Sequence, residues 1–216
     1  MPDEREIGAR VKQGIIGTIR GTGEITTAAI STVADVVQTS VTQTAKTGAT
    51  IGDVAVGAAM GAVSAVGDLG GHSAETAANT LTKATQSASK VGASVGNAAK
   101  GAMIGTLRGS SEVTTEGLGA VSSASRASVA EASHIGADIT TAAFGAVEGA
   151  IEGAKGTTVS AEEAASAAAT GAIEAAGDIG DSAAARVRAA VTGTIKGVKV
   201  VAKTAIGREE RETERV

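Results

Sequence analysis

Few side chains in this sequence are equipped for chemistry. His72 and His134 are the only imidazoles that could serve as a general base or a metal ligand, and no Cys is present to complete a soft metal set. Both histidines fall on polar positions of the periodicity described below, which predicts exposed helix or turn histidines and no metal site. Ser and Thr are abundant, yet neither histidine stands at a spacing that reads as a catalytic triad. Gly117-Leu118-Gly119 lacks the phosphate-loop and dinucleotide-binding patterns. Arg20/Glu24 and Arg108/Glu112 are i,i+4 pairs, each worth only about 0.2–0.5 kcal/mol on a helix surface. The expectation is a chain with no catalytic residue, no cofactor and no metal.

The organised feature is a repeat. Gly17-Thr18-Ile19-Arg20-Gly21, Gly105-Thr106-Leu107-Arg108-Gly109 and Gly193-Thr194-Ile195-Lys196-Gly197 begin 88 residues apart. Weaker copies sit halfway, at Gly61–Ala65 and Gly149–Gly153, so the spacing is 44, a multiple of 11. Eleven residues fit three helical turns at about 3.67 residues per turn, which keeps one column of side chains on one face.

Numbering residues 7–206 by their remainder on division by 11 gathers 35 of 43 Ile, Val, Leu, Met and Phe on remainders 0, 3, 4, 7 and 8, and only Glu162 among the charged residues joins them. The column at remainder 8 holds Ile19, Ile30, Val41, Val63, Leu107, Leu118, Val129, Ile151, Ile173, Ile195 and Ile206. This predicts one apolar stripe along an amphipathic helix. The 30 glycines make a lone helix costly, at roughly 1 kcal/mol each, so the stripe must be covered by another copy, by another part of the chain or by lipid.

Opposite the stripe, small residues cluster as Gly17/Gly21, Gly57/Gly61, Gly101/Gly105/Gly109, Gly145/Gly149/Gly153 and Gly193/Gly197. Such spacings suit close approach of two backbones, and they predict a second contact face repeating every 44 residues. A solvated face would also tolerate small residues.

Composition narrows the remaining classes. There is no Trp or Tyr, one Phe and one Pro, at Pro2, so neither a large-residue core nor proline turns are expected. The net charge of −4 and the absence of a basic block give no reason to expect a nucleic-acid partner. The charged start of the chain lacks a signal-peptide core, and no apolar run reaches spanning length, so the sequence reads as cytoplasmic, with a membrane-peripheral place as the alternative.

Three segments follow: a charged N-terminal stretch over 1–9, the repeat region over 10–206 and a charged tail over 207–216. Interruptions are expected near 67–73, where Gly70-Gly71 occurs, and near 153–160, where Ser160-Ala161-Glu162-Glu163 fits a capping box. Bends at both would make three antiparallel helices. The unbroken 11-residue phase favours one rod. The predicted fold class is all-α, a continuous or few-times-interrupted helix forming a right-handed or nearly straight coiled coil without strands.

This pattern resembles hendecad coiled-coil proteins over about residues 10–206, and more weakly the 11-residue amphipathic repeats of perilipins and synucleins. The first resemblance implies a non-enzymatic structural protein that associates with itself, as oligomers, filaments or sheets, through the stripe and the glycine face. The second implies a protein that coats a lipid surface. One flank of the stripe, with Lys12, Lys100, Lys155, Arg188 and Lys199, fits the lipid families; their Lys-rich repeat core is missing.

Overall fold

The computed structural model describes residues 51–68, 73–90, 94–109 and 115–202, with further positions at 5, 8–10, 12–14, 16 and 39. These residues form a stack of short helices. In chain order they are α1 (Ile51–Asp68), α2 (Ser73–Lys90), α3 (Val95–Gly109), α4 (Thr115–His134), α5 (Ile139–Gly153), α6 (Ala161–Ile179) and α7 (Asp181–Val191), followed by strands β1 (Gly193–Ile195) and β2 (Val198–Val200).

Helix starts reveal the unit. Ile51, Ser73 and Val95 open helices at equal intervals, and the beat resumes at Ile139 and Ala161. Each helix with its turn therefore fills half of the 44-residue repeat. Contacts obey this parity. α3 packs chiefly on α1 and α5, whereas α4 packs chiefly on α2 and α6, so odd and even helices form two layers. Neighbours in sequence meet less extensively, across the interlayer core. Residues 51–200 thus form a solenoid in which each repeat touches mainly the next.

Local chemistry sets the turns. Asp138 caps α5, its carboxylate accepting from the backbone N–H of Thr140 at 2.9 Å and from the Thr141 hydroxyl at 2.8 Å. Ser94, one repeat earlier, accepts from the backbone N–H of Asn97 at the start of α3. α4 ends in a Schellman arrangement. Ala137 N–H donates to Ala132 O, Gly136 N–H donates to Ser133 O, and Gly136 supplies the left-handed φ of 69°. The capping box at Ser160 and Glu163 forms as the residues predict, with Glu163 N–H donating to Ser160 Oγ at 3.1 Å and Ser160 N–H donating back to the Glu163 carboxylate.

Two expectations are corrected here. On the described residues the helix breaks at the anticipated 154–160, and also at 135–138 and Gly180. With the side-by-side packing of α1, α3 and α5, this means that residues 51–191 form no continuous rod. The interruption expected near 67–73 falls largely outside the described residues. Strands also occur. β1 and β2 make an antiparallel hairpin, pairing Gly193 with Val200, Thr194 with Lys199 and Ile195 with Val198. Lys196 and Gly197 form its two-residue turn with φ of 48° and 80°, the positive values that match a hairpin's twist. Ile195 and Val200 face inward while Thr194 and Lys199 face water, an alternation of period 2 that overrides the helical count.

Candidate functional site

The repeated face of the molecule is a ladder of glycines. Gly101, Gly105 and Gly109 of α3 lie on the α1 backbone at Gly52, Val56 and Met60. Gly145, Gly149 and Gly153 of α5 lie on α3 at Gly96, Lys100 and Ile104. The second set is the first moved along by one 44-residue repeat. Contact points advance by four on both partners together, so successive odd helices run parallel. At Gly101, Gly105, Gly145 and Gly149 an added Cβ would overlap a carbonyl oxygen of the facing helix. Backbone therefore meets backbone, and the penalty for helical Gly is offset by dispersion and by Cα–H···O contacts at this short range.

The predicted small-residue grooves thus lie largely inside the chain. A Cβ added at Gly8 would approach the Gly57 carbonyl oxygen and the Gly61 backbone nitrogen. Gly17 and Gly21 lie outside the described residues. Gly193 and Gly197 do not join the ladder, which corrects that expectation. Both adopt positive φ in the hairpin, with no atom near enough to contact an added Cβ. The even layer has a rung of its own where Gly171 lies on Ser122.

The aliphatic stripe points into the core between the layers. Val63, Leu107, Val129, Ile151, Ile173 and Ile195 are buried, and Leu118 packs half-buried against the same cluster. Ile19, Ile30, Val41 and Ile206 lie outside the described residues. The cover for the stripe is the chain itself. Alanines supply most of the remaining core, as the short spacing between helices requires. Phe144, the one aromatic, is left 39 % exposed.

Polar groups follow the same translation. Lys100 Nζ lies 2.8 Å from Glu152, and Lys196 reaches both Glu148 at 3.2 Å and Glu152 at 3.5 Å. Hydrogen bonding from Lys100 holds the Glu152 carboxyl below its usual range, and hydrogen bonding to Glu148 raises Lys196. Asp138 is lowered too, first by the Thr141 hydroxyl. Arg108, Glu152 and Lys196 are 44 residues apart, a spacing that places them on one edge of the stack. That spacing was the available signal for this ion ladder, and reading one rod would miss it. In the even layer, Arg126 bridges Glu174 and Asp178. The seam between α2 and α4 is polar. Thr85 and Ser128 hydroxyls are 3.4 Å apart, Gln86 donates to the buried Glu131, and the buried Ser87 and Ser125 hydroxyls have no partner among the described residues.

Nothing here assembles a reaction centre among the described residues. His134 is exposed, 3.8 Å from Glu131, and His72 lies outside the described residues. Glu162, the one charge on the stripe, is exposed beside the α6 cap. No group of three or more metal-capable side chains occurs among the described residues, and none of their helices is long and apolar enough to cross a membrane.

The stack ends in a distinct cap. By the 44-residue register Arg186 replaces the buried Ala142 and Ala189 replaces Gly145, and both are exposed. α7 therefore does not repeat the nesting of α3 and α5. It buries Ala183, Val187 and Val191 instead, against α5 and α6. No family model, curated protein or solved structure matches this chain.

Proposed function

We propose that the chain is a non-enzymatic structural protein, a self-contained stack of helical hairpins that acts as a rigid spacer or scaffold. The glycine ladder carries this reading. Both surfaces that the sequence offers for association, the stripe and the glycine face, are occupied by neighbouring repeats of the same chain over the described residues. A repeat that closes on its neighbours fixes length and shape through their number. Coating lipid through the stripe would require the stack to open, and filaments built on these faces would have to displace intrachain contacts.

Sedimentation of the purified chain tests the reading. A species near 20.7 kDa at every concentration, with constant helicity, is expected. Leu107→Asp, which puts a charge in the dry core, should then unfold the monomer. Mass and helicity that rise together with concentration, or filaments in electron micrographs, would replace the spacer with the self-assembling coiled coil. Helicity that is low in buffer and rises with vesicles would favour the lipid coat.

A further inference from the structure

We propose that the C-terminal cap is a docking surface for an anionic lipid bilayer and holds the stack end-on against it. The inference does not depend on the spacer reading, because it rests on a different part of the molecule.

Position comes first. α7 packs on α5 and α6, and β2 packs on α6, so the cap closes the end of both layers. Charge is the second observation. Residues 51–180 contain 13 acidic and 6 basic side chains, whereas 181–202 contain Asp181 against Arg186, Arg188, Lys196 and Lys199. The stack of residues 51–202 is therefore polarised along its stacking direction, and an anionic plane attracts the cap while repelling the body. Among the cap cations only Lys196 is tied into the edge ladder. Arg186, Arg188 and Lys199 are exposed and form no ion pair among the described residues.

The third observation is apolar. Ile179 and Val201, 45 % and 56 % exposed, are two of three large hydrophobic side chains left open among the described residues. Ile179 ends α6, and the Val201 backbone N–H donates to Ser166, in the N-terminal half of that helix. The two therefore flank the cap about 20 Å apart along α6. Exposed aliphatics framing unpaired cations suit the headgroup region. A bound nucleic-acid single strand would call for stacking aromatics, and the cap has none. A second copy would call for a matching acidic cluster. The exposed acids of the described helices, Asp53, Glu75, Glu162, Glu163, Asp178 and Asp181, are divided among α1, α2, α6 and α7. Of these, Glu163 is held by the Ser160 cap and Asp178 by Arg126.

The test is co-sedimentation of the full chain with phosphatidylcholine vesicles and with vesicles that also contain phosphatidylserine. Binding is expected only to the second kind and should be lost in high salt. Each cation removed should weaken it about fivefold, and Arg186→Ser/Arg188→Ser/Lys199→Ser together on the order of 100-fold. Lys83→Ser/Lys90→Ser, on α2, should bind as the native chain does. Circular dichroism checks each fold. Should the triple variant unfold, Lys199→Glu alone, on the outer face of the hairpin, must still weaken binding. Equal binding to both vesicles, or native binding by Lys199→Glu, overturns the proposal. So does binding to single-stranded RNA that exceeds binding to the anionic vesicles. A lipid-free dimer that the triple variant abolishes would assign the cap to a second copy and overturn it as well.

Discussion

Gly105 of α3 rests on the carbonyl oxygen of Val56 in α1, and no room remains between the two helices for a methyl group. Gly149 stands in the same relation to Lys100 one repeat later. This relation explains the composition. Helices that touch through their backbones leave space in the core for Ala and a few aliphatics, and none for Trp or Tyr.

Gly105→Ala should therefore destabilise the chain, although Ala is the better helix former. An added Cβ would also crowd Ala59 Cβ and the Met60 backbone nitrogen, and forcing atoms into a packed interior costs roughly 1–3 kcal/mol. Gly119, in α4, has open space where a Cβ would be added. Gly119→Ala should stabilise by up to about 1 kcal/mol through propensity alone. Urea unfolding of the two variants should give opposite shifts in midpoint. Shifts of the same sign would mean that α1 and α3 stand further apart within their layer.

Much of this architecture was readable in the residues, but through the wrong geometry. The stripe at Val63, Leu107 and Ile151 correctly marks the buried side, and Ser160/Glu163 correctly marks a helix start. The rod failed because phase and continuity are separate properties. The helix–turn unit, half of the 44-residue repeat, is two periods of 11, so duplicated units keep the count whether or not the helix runs through the turns. The better signal was the punctuation. Gly48-Ala49-Thr50, Gly92-Ala93-Ser94 and Gly136-Ala137-Asp138 recur every 44 residues, each a glycine followed two places on by a residue type that favours helix N-caps, before Ile or Val. Of these, Ser94 and Asp138 cap α3 and α5, and Gly136 supplies a positive φ. The hairpin was missed because Gly193–Gly197 copies a helical motif in letters. Lys196-Gly197 between Thr194-Ile195 and Val198-Lys199-Val200 has the two-residue turn and β-branched flanks of a hairpin.

The ion ladder gives the stack a dependence on pH. The Glu152 and Asp138 carboxyls are both depressed in the folded chain, so the stability they add is present above their unfolded values. It is lost as pH falls through the folded values, below the ordinary carboxylate range. Lys196 is raised, so its contribution is present below the ordinary lysine value and is lost in strong base, as pH climbs through the folded value. Between those limits stability should be nearly flat with respect to these groups. Glu152 and Lys196 are both partly exposed, so the effect should stay under about 1 kcal/mol. Glu152→Gln, compared with the native chain by thermal unfolding from neutral pH downward, should lose stability at neutral pH and converge with the native chain in acid. Parallel curves would show that Glu152 is not part of the ladder.

The parity of the layers makes a sharper demand. Deleting residues 95–138 removes one 44-residue repeat and joins the cap at Ser94 to Ile139, so α5 replaces α3 in the odd layer. Gly145 and Gly149 then stand where Gly101 and Gly105 met α1. Such a chain should fold, with cooperative unfolding and an m-value reduced in proportion to the lost surface. Deleting residues 95–116 removes half a repeat and preserves the 11-residue phase equally well. It moves α4 into the odd layer, where Ser123, Ala127 and Glu131 replace Gly101, Gly105 and Gly109, and their side chains cannot approach the α1 backbone as closely. That chain should lose cooperative unfolding. If phase alone governed the fold, as in one continuous helix, both deletions would be tolerated alike.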